Sequence, residues 1–408
     1  MNVQVQRVET AAEKQLSEEF AARKGALVGG NPLGEAREAA FSRFSAVGLP
    51  HRRIEEWKYT DIRTRLREVP VAGETLVSLP GAQGGISVRS LADALAADGD
   101  KIAARVSERF TGFESPLLDL NEAFASAGAV VDVAAGASVA EPVRVEVAHP
   151  AGQRGDSIAL YTVGEGAEVT IIEKTGSPGE GSFGGHVSHI DVGKGAKVTF
   201  IRHVDAGVHG VHSGGLAVTV DAETKVDTLL VVSSGELVRT DIGFRFTGEG
   251  SVANIRGLHL AGSTRHVDTT MFVDHAVPNC VSRELFKSVL DDEARSVFQG
   301  KILVRQIAQK TDGKMMSQAL MLSDDAEADS KPELEIYADD VQCGHGSTTG
   351  RVDDNLLFYL MARGIPKREA TRMLVSAFAN EVFDDLDETV AEEFSAVAEA
   401  WLERHLAG

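Results

Sequence analysis

The sequence predicts a mainly β chain, a β-solenoid core held between two helical regions, and three observations carry that prediction. From about Ala129 to Gly350 short β-branched runs are broken by Gly and small polar residues. Within that span VDVAAGASVAEPV, YTVGEGAEVTIIE, IDVGKGAKVTFIR, VTVDAETKVDTLL and RFTGEGSVANIRG lie over one another at a spacing of about 27 to 30 residues, a period that signals a stacked array. On either side, apolar residues recur at helical spacing instead. The expected segments are 1–125, helical; 126–350, the β core; and 351–408, helical.

Taken in order, the chain opens with Leu16 and Phe20, then Phe41, Phe44 and Val47, at helical spacing, and Gly48 with Pro50 supplies a stop. In HRRIEEWKYTDIR, Trp57 and Tyr59 are expected to pack against neighbouring helices. The stretch from Val71 to Gly112 carries a weak signal and reads as loops and short helices. Each unit of the core then reads strand, tight turn, strand, with the sharp turn expected at Gly164, Gly193 or Gly248. One unit cannot bury a face alone, whereas stacked units share a continuous core. A Greek-key sandwich fits the same strand lengths and turn residues and stays open on this ground. After Gly350, Asp353 or Asp354 can cap a helix carrying Leu356, Leu357, Leu360 and Met361, which Gly364 and Pro366 end. A second helix presents Ala370, Met373, Leu374, Ala377 and Phe378, and a third Val390, Phe394, Val397 and Trp401.

Composition narrows the function classes. A formal net charge of −20 over 408 residues argues against nucleic acid or an anionic membrane as main partner, since both ask for clustered Lys and Arg. The first residues, MNVQVQRVETAAEKQ, show no apolar leader, and runs such as LLVV at Leu229 to Val232 are far too short to span a bilayer. Two cysteines make no disulfide framework, so a cytoplasmic protein is the expectation. The turns GEG at Gly164 and GKG at Gly193 lie between strands, and no G-x-x-x-x-G-K-[ST] occurs, so the chain is not expected to be an ATPase. His203, His209 and His212 match no ligand spacing and read as surface histidines near a loop. Cys280 reads as structural.

The chemistry concentrates in KPELEIYADDVQCGHGSTTG, from Lys331 to Gly350. In an extended segment alternate side chains point the same way, so Cys343 and His345 project from one face within reach of a single metal or cluster edge. A thiolate and an imidazole suit zinc, copper or iron–sulfur chemistry, but two ligands leave a four-coordinate site incomplete. Any metal here would be shared.

This segment, preceded by QKTDGKMMSQALMLSDDAEADS from Gln309 and followed by LFYLMARGI at Leu357 to Ile365, resembles the SufB/SufD family of iron–sulfur cluster assembly proteins. RRIEEWKYT resembles the Trp-Lys-Tyr-Thr signature near the start of those chains. SufB-type chains carry a cysteine just before the strand matching LMLS at Leu320 to Ser323; here Ser317, Gln318 and Ala319 stand there. Cys343 to Gly346 instead resembles the SufD-type Cys-Ser-His-Gly-Ala-Thr pattern, with Gly344 for Ser and Ser347 for Ala. The resemblance implies a right-handed parallel β-helix and a non-catalytic scaffold that forms and transfers nascent clusters. It implies a heterodimer with SufB, binding of the ATPase SufC, and one SufB, one SufD and two SufC in the complex. A homodimer when alone and a flavin in the assembled complex belong to the same expectation. His345 and Cys343 would ligate a transient cluster shared with SufB, while Tyr359, Arg363, Gly364 and Ile365 would contact SufC. The rival reading is a β-solenoid carbohydrate-binding or carbohydrate-active protein, which usually shows clustered carboxylates, aromatic platforms or a secretory signal; aromatic residues here are only 6%.

Overall fold

The computed structural model describes residues 9–81, 83–108, 114–176 and 181–405, so the leader-free reading of the first eight residues lies outside it. From Ala127 to Gly350 the chain lays strands alternately into two sheets. Sheet I runs, in spatial order, Leu76–Ser78, Val143–Ala148, Glu168–Gly176, Lys197–Asp205, Lys225–Ser234, Val252–Ala261, Val281–Leu290, Asp312–Met321 and Gln342–Gly350. Sheet II runs Ile86–Ser90, Ala127–Val133, Arg154–Val163, Phe183–Val192, Val211–Val220, Leu237–Phe246, His266–His275, Arg295–Val304 and Glu327–Ile336. Neighbours are parallel except at the first pair of each sheet, where Leu76–Ser78 and Ile86–Ser90 run antiparallel and close the N-terminal end. Consecutive strands thus belong to opposite sheets, which makes a parallel β-solenoid of about eight turns and not a sandwich.

The core lies between the sheets. Val169, Val198, Val226 and Ala253 stack through sheet I, and Tyr161, Ile190, Val218, Phe244, Val273 and Ile302 through sheet II. Every other residue therefore meets its equivalent one turn away, and each such apolar side chain contributes about 1.5–3 kcal/mol on burial.

The glycines of each GxG turn divide their work differently from the expectation. Gly166, Gly195 and Gly250 adopt positive φ, at 65°, 68° and 78°, so the sharp turn falls on the second glycine. Gly164 and Gly248 serve close approach instead: a Cβ there would lie 2.5 Å from the Ala135 nitrogen and 2.0 Å from the Ala222 nitrogen of the preceding turn. One glycine bends the chain and the other lets turns stack.

Both outer faces are covered. Helices Ala11–Arg23, Gly30–Val47 and Pro116–Phe124 bury Leu16, Phe20, Phe44, Leu117 and Phe124 over sheet II. Helices Lys367–Asn380 and Glu388–His405 pack Val375, Phe394, Ala398, Trp401 and Leu402 on Ile201, Leu229, Val231, Leu258 and Val289 of sheet I. The predicted stripe of the first of these two is rotated, since Met373 and Ala377 are exposed while Ala370, Val375 and Ala379 are buried. The weak stretch from Val71 holds two short strands and the helix Leu91–Val106, in which apolar Leu91, Leu95, Ile102 and Val106 face the solenoid.

Trp57 of the WKYT segment packs with the N-terminal helices, in one buried cluster with Leu16, Phe44 and Leu120, and the segment also docks on the solenoid. The Arg239 guanidinium lies 4.2 Å from the Trp57 ring centre, and Thr60 bonds the Asp268 carboxylate and the His266 ring. Arg239, Asp241 and Asp268 are buried, with the Arg239 guanidinium ion-paired to both carboxylates, and the Glu56 carbonyl accepts from Gln299 at 3.0 Å. Two of the three histidines expected at the surface are also buried. His203 bonds Ser233 at 2.7 Å, and His212 lies inside the solenoid beside His149, because both sit in strands covered on two sides. His209, in the loop between them, is exposed as expected.

Candidate cluster-binding edge

Glu327–Ile336 and Gln342–Gly350 end their sheets: each pairs with one strand on one side and has none among the described residues on the other. Unpaired N–H and C=O groups of this kind template the addition of a further strand. Cys343 and His345 both lie on this last turn.

Their shared face is settled by register. Cys343 stands opposite Gly313, above Ser282 and Ala253, and His345 opposite Met315, above Glu284 and Ile255. Ala253, Ile255 and Met315 belong to the core, so the two side chains continue interior columns at the open end of the solenoid. Cys343 is half-buried and His345 exposed. That face is at once the solenoid interior and its open end.

Gly313, directly beneath Cys343, brings the thiol near a polar and an apolar neighbour. A Cβ on Gly313 would lie 3.7 Å from Cys343 Sγ, 3.4 Å from Ser282 Oγ and 3.6 Å from Ile302 Cδ1, so these three groups converge on that position. His275 Nε2 holds Ser282 Oγ at 2.9 Å. Burial pushes the Cys343 thiol up, with Asp312 and Glu284 adding to the effect, so neutral water alone leaves it protonated and a bound metal would displace the proton. Burial also raises Glu284 to about 8; Ser282 eases that somewhat, yet neither carboxylate oxygen has a hydrogen-bond partner in normal geometry. None of Gly313, Ser282, His275 or Glu284 stood out in the sequence, though the repeat register would have placed all four.

Among the described residues no group of three or more His, Cys, Asp or Glu is arranged to hold a metal ion. A thiol and an imidazole alone at an open edge would leave the rest of any coordination sphere to come from outside. Cys280 is fully buried in a turn, its Sγ 3.5 Å from the Gly248 and Pro278 carbonyls, and burial raises its thiol as well.

Beyond this edge, Asp353 caps the helix Asp354–Met361, accepting from the Asn355 and Leu356 nitrogens at 2.7 and 3.2 Å. None of its residues is buried, and Leu356, Phe358 and Tyr359 are 52%, 73% and 53% exposed. Arg363 stacks on Tyr359 at 4.3 Å, Gly364 turns the chain at φ 87°, and Ile365 is half-buried. The four residues Tyr359, Arg363, Gly364 and Ile365 form one bend at the exposed end of the C-terminal helices.

Two family descriptions match the chain: "SUF system FeS cluster assembly, SufBD core domain" over residues 157–378, and "SufBD protein N-terminal region" over residues 10–68. The chain belongs to the SufBD family. Its relatives include the iron–sulfur cluster assembly protein SufD of Escherichia coli (strain K12), 32% identical over 86% of this chain and 88% of that one. An iron–sulfur cluster assembly SufBD family protein of Mycobacterium tuberculosis is 31% identical over 88% and 90%. One from Synechocystis is 26% identical over 93% of each chain. It is therefore a SufD-like member of the iron–sulfur cluster assembly family. No helix among the described residues is long and apolar enough to cross a membrane.

Proposed function

We propose that this chain is the SufD-type scaffold subunit of a SUF complex, pairing with a SufB-type chain and a SufC-type ATPase to form and transfer nascent iron–sulfur clusters. The observation that carries the reading is the coincidence, on one open turn, of two unpaired sheet edges with Cys343 and His345. Strand addition by a related solenoid would continue both sheets and bring its own ligands beside His345, with Cys343 the adjacent thiol. The cluster is cargo here, and His345 supplies one nitrogen ligand to it. SufC would dock on the bend at Tyr359, Arg363, Gly364 and Ile365, where the uncovered apolar residues lie. The chain has no catalytic residue of its own in this reading, and ATP is hydrolysed by the partner. A flavin in the assembled complex, a homodimer of the chain alone and a cytoplasmic location remain parts of the proposal.

Co-expression with SufB-type and SufC-type chains tests it. The tagged chain should retain both, and His345→Ala should keep assembly and melting temperature while clusters fail to form. Normal cluster content with a lowered melting temperature would assign His345 to structure and not to ligation.

A further inference from the structure

The WKYT segment belongs neither to the open edge nor to the bend of the C-terminal helices, yet it walls a cleft of its own. A space of about 310 Å³ lies where the segment meets the first residues of the strands Leu237–Phe246 and His266–His275, lined by Arg52, Tyr59, Thr60, Asp61, Arg65 and His266. Charge here runs against the rest of the chain. From His51 to Arg67 there are six Lys and Arg against three Asp and Glu, a net +3 in a chain of −20. The carboxylates nearest the cleft are already engaged: Asp61 accepts from the Thr64 nitrogen at 3.3 Å, and Glu236 pairs with Arg65 at 2.9 Å. Arg52 is exposed and has no ion-pair partner among the described residues.

His266 sets what the cleft can hold. Thr60 Oγ1 has one proton and two polar neighbours, the Asp268 carboxylate and His266 Nε2, the latter at 2.9 Å. Asp268 is ion-paired to Arg239 and can only accept, so Thr60 donates to it and must itself accept from Nε2–H. A neutral ring carries a single proton, so Nδ1 is left a bare acceptor with no hydrogen-bond partner among the described residues, on a side chain only 9% exposed. Burial, and after it Arg295, Arg65 and Arg239, push the ring down to about 3 against the pull of Asp329, so Nδ1 stays unprotonated at neutral pH. A buried acceptor among guanidinium groups suits a ligand that is negative and still has a proton to give. Sulfate and ionised carboxylates lack that proton, and a phosphate monoester keeps one only below about pH 6, whereas inorganic phosphate keeps one throughout the neutral range. We propose that this cleft binds inorganic phosphate, with Arg52 and Arg65 holding its oxygens and its P–OH donating to His266 Nδ1.

Isothermal titration of the full-length chain in about 50 mM salt tests it, with inorganic phosphate, sulfate and phenyl phosphate as probes. At about pH 7.5 phosphate should bind at least about tenfold more tightly than sulfate, and phenyl phosphate no more tightly than sulfate. At about pH 5.5 phenyl phosphate should gain on sulfate several-fold as its oxygen regains the proton, a ratio that cancels any charge gained by His51 or His209 nearby. Arg52→Gln, an exposed change, should weaken phosphate and sulfate alike by about tenfold. His266→Phe should bring phosphate down to sulfate. Where circular dichroism shows that this variant does not fold, the ring ¹⁵N spectrum of the native chain replaces it: the His266 Nδ1 resonance should move on adding phosphate and stay in place on adding sulfate. Sulfate or phenyl phosphate held as tightly as phosphate at about pH 7.5, phosphate binding untouched by Arg52→Gln, or no binding of phosphate at about 10 mM would each overturn the proposal.

Discussion

Replacing Glu284 by Gln should stabilise the protein at neutral and alkaline pH and leave it almost unchanged near pH 4. Glu284 is 2% exposed, with its carboxyl raised to about 8 chiefly by burial. The folded state therefore keeps the proton that the unfolded chain releases at its ordinary value of 4.5. A raised folded value means that stability is fully present below about pH 4.5 and is lost as pH rises toward 8. At pH 7 the loss is about 2.5 pH units at ~1.4 kcal/mol each, or about 3 kcal/mol. With an unfolding entropy of ~2.1 cal/mol/K per residue over 408 residues, that corresponds to about 4 °C in melting temperature. Gln preserves shape and removes the titration. Thermal melting of both chains from pH 4 to pH 8 should give curves that coincide at the acid end and diverge by about 4 °C at pH 7. Parallel curves across that range would refute the account of a neutral, unpartnered carboxyl behind Cys343.

Acid should act through other groups. Burial depresses His203, His259 and His275 to about 4 and His149 and His266 to about 3, so their stabilising neutral forms are present above about pH 6.5 and lost as pH falls through those values. Melting temperature should therefore fall as pH drops from about 6.5 toward about 4, an outcome checked on the same pH series. Thr60→Val, which removes the bonds to Asp268 and His266, should cost about 1–3 kcal/mol in chemical unfolding, and Thr60→Ser should restore most of it. Gly364→Val, at φ 87° with no atom within 4 Å of a new Cβ, meets strain without a clash, so binding to a SufC-type chain should weaken by about 1–2 kcal/mol while the solenoid melts normally. Isothermal titration against that partner measures it.

What could be read from the sequence depended on whether the signal was local. The solenoid repeat was legible because its turns restate it in each unit, as the positive-φ glycines at 166, 195 and 250 do. Cys343 and His345 were legible as a pair because period two is a property of one strand. Which face they share was not, since that follows from Gly313 and Met315 one full turn earlier. The same limit explains Trp57. Its packing among the N-terminal helices is legible from local spacing, while its second contact, Arg239, is 182 residues away and becomes adjacent only once the turns are counted.

The interior polar residues show why hydrophobic pattern alone misplaces part of this core. Glu173 has the same strand parity as Val169 and Ile171 and so points inward with them, where a lone carboxylate would be costly. Burial works against its ionised form, but the Arg202 guanidinium at 2.7–2.8 Å and the His186 ring outweigh it and hold the carboxyl far below its ordinary range. Tyr161 and Ser188 donate to its other oxygen at 2.8 and 2.7 Å. Arg202 stands exactly one turn from Glu173 in the register of sheet I, and Tyr161 and Ser188 come from facing strands of sheet II. Breaking either partner would leave the other charge buried and unpaired, so the pair resists a slip of one residue that a purely aliphatic stack of Val and Ile would tolerate. Glu284 points inward by the same parity, two turns beneath His345 through Met315, but with neither carboxylate oxygen held by such a partner it is left to give up its charge.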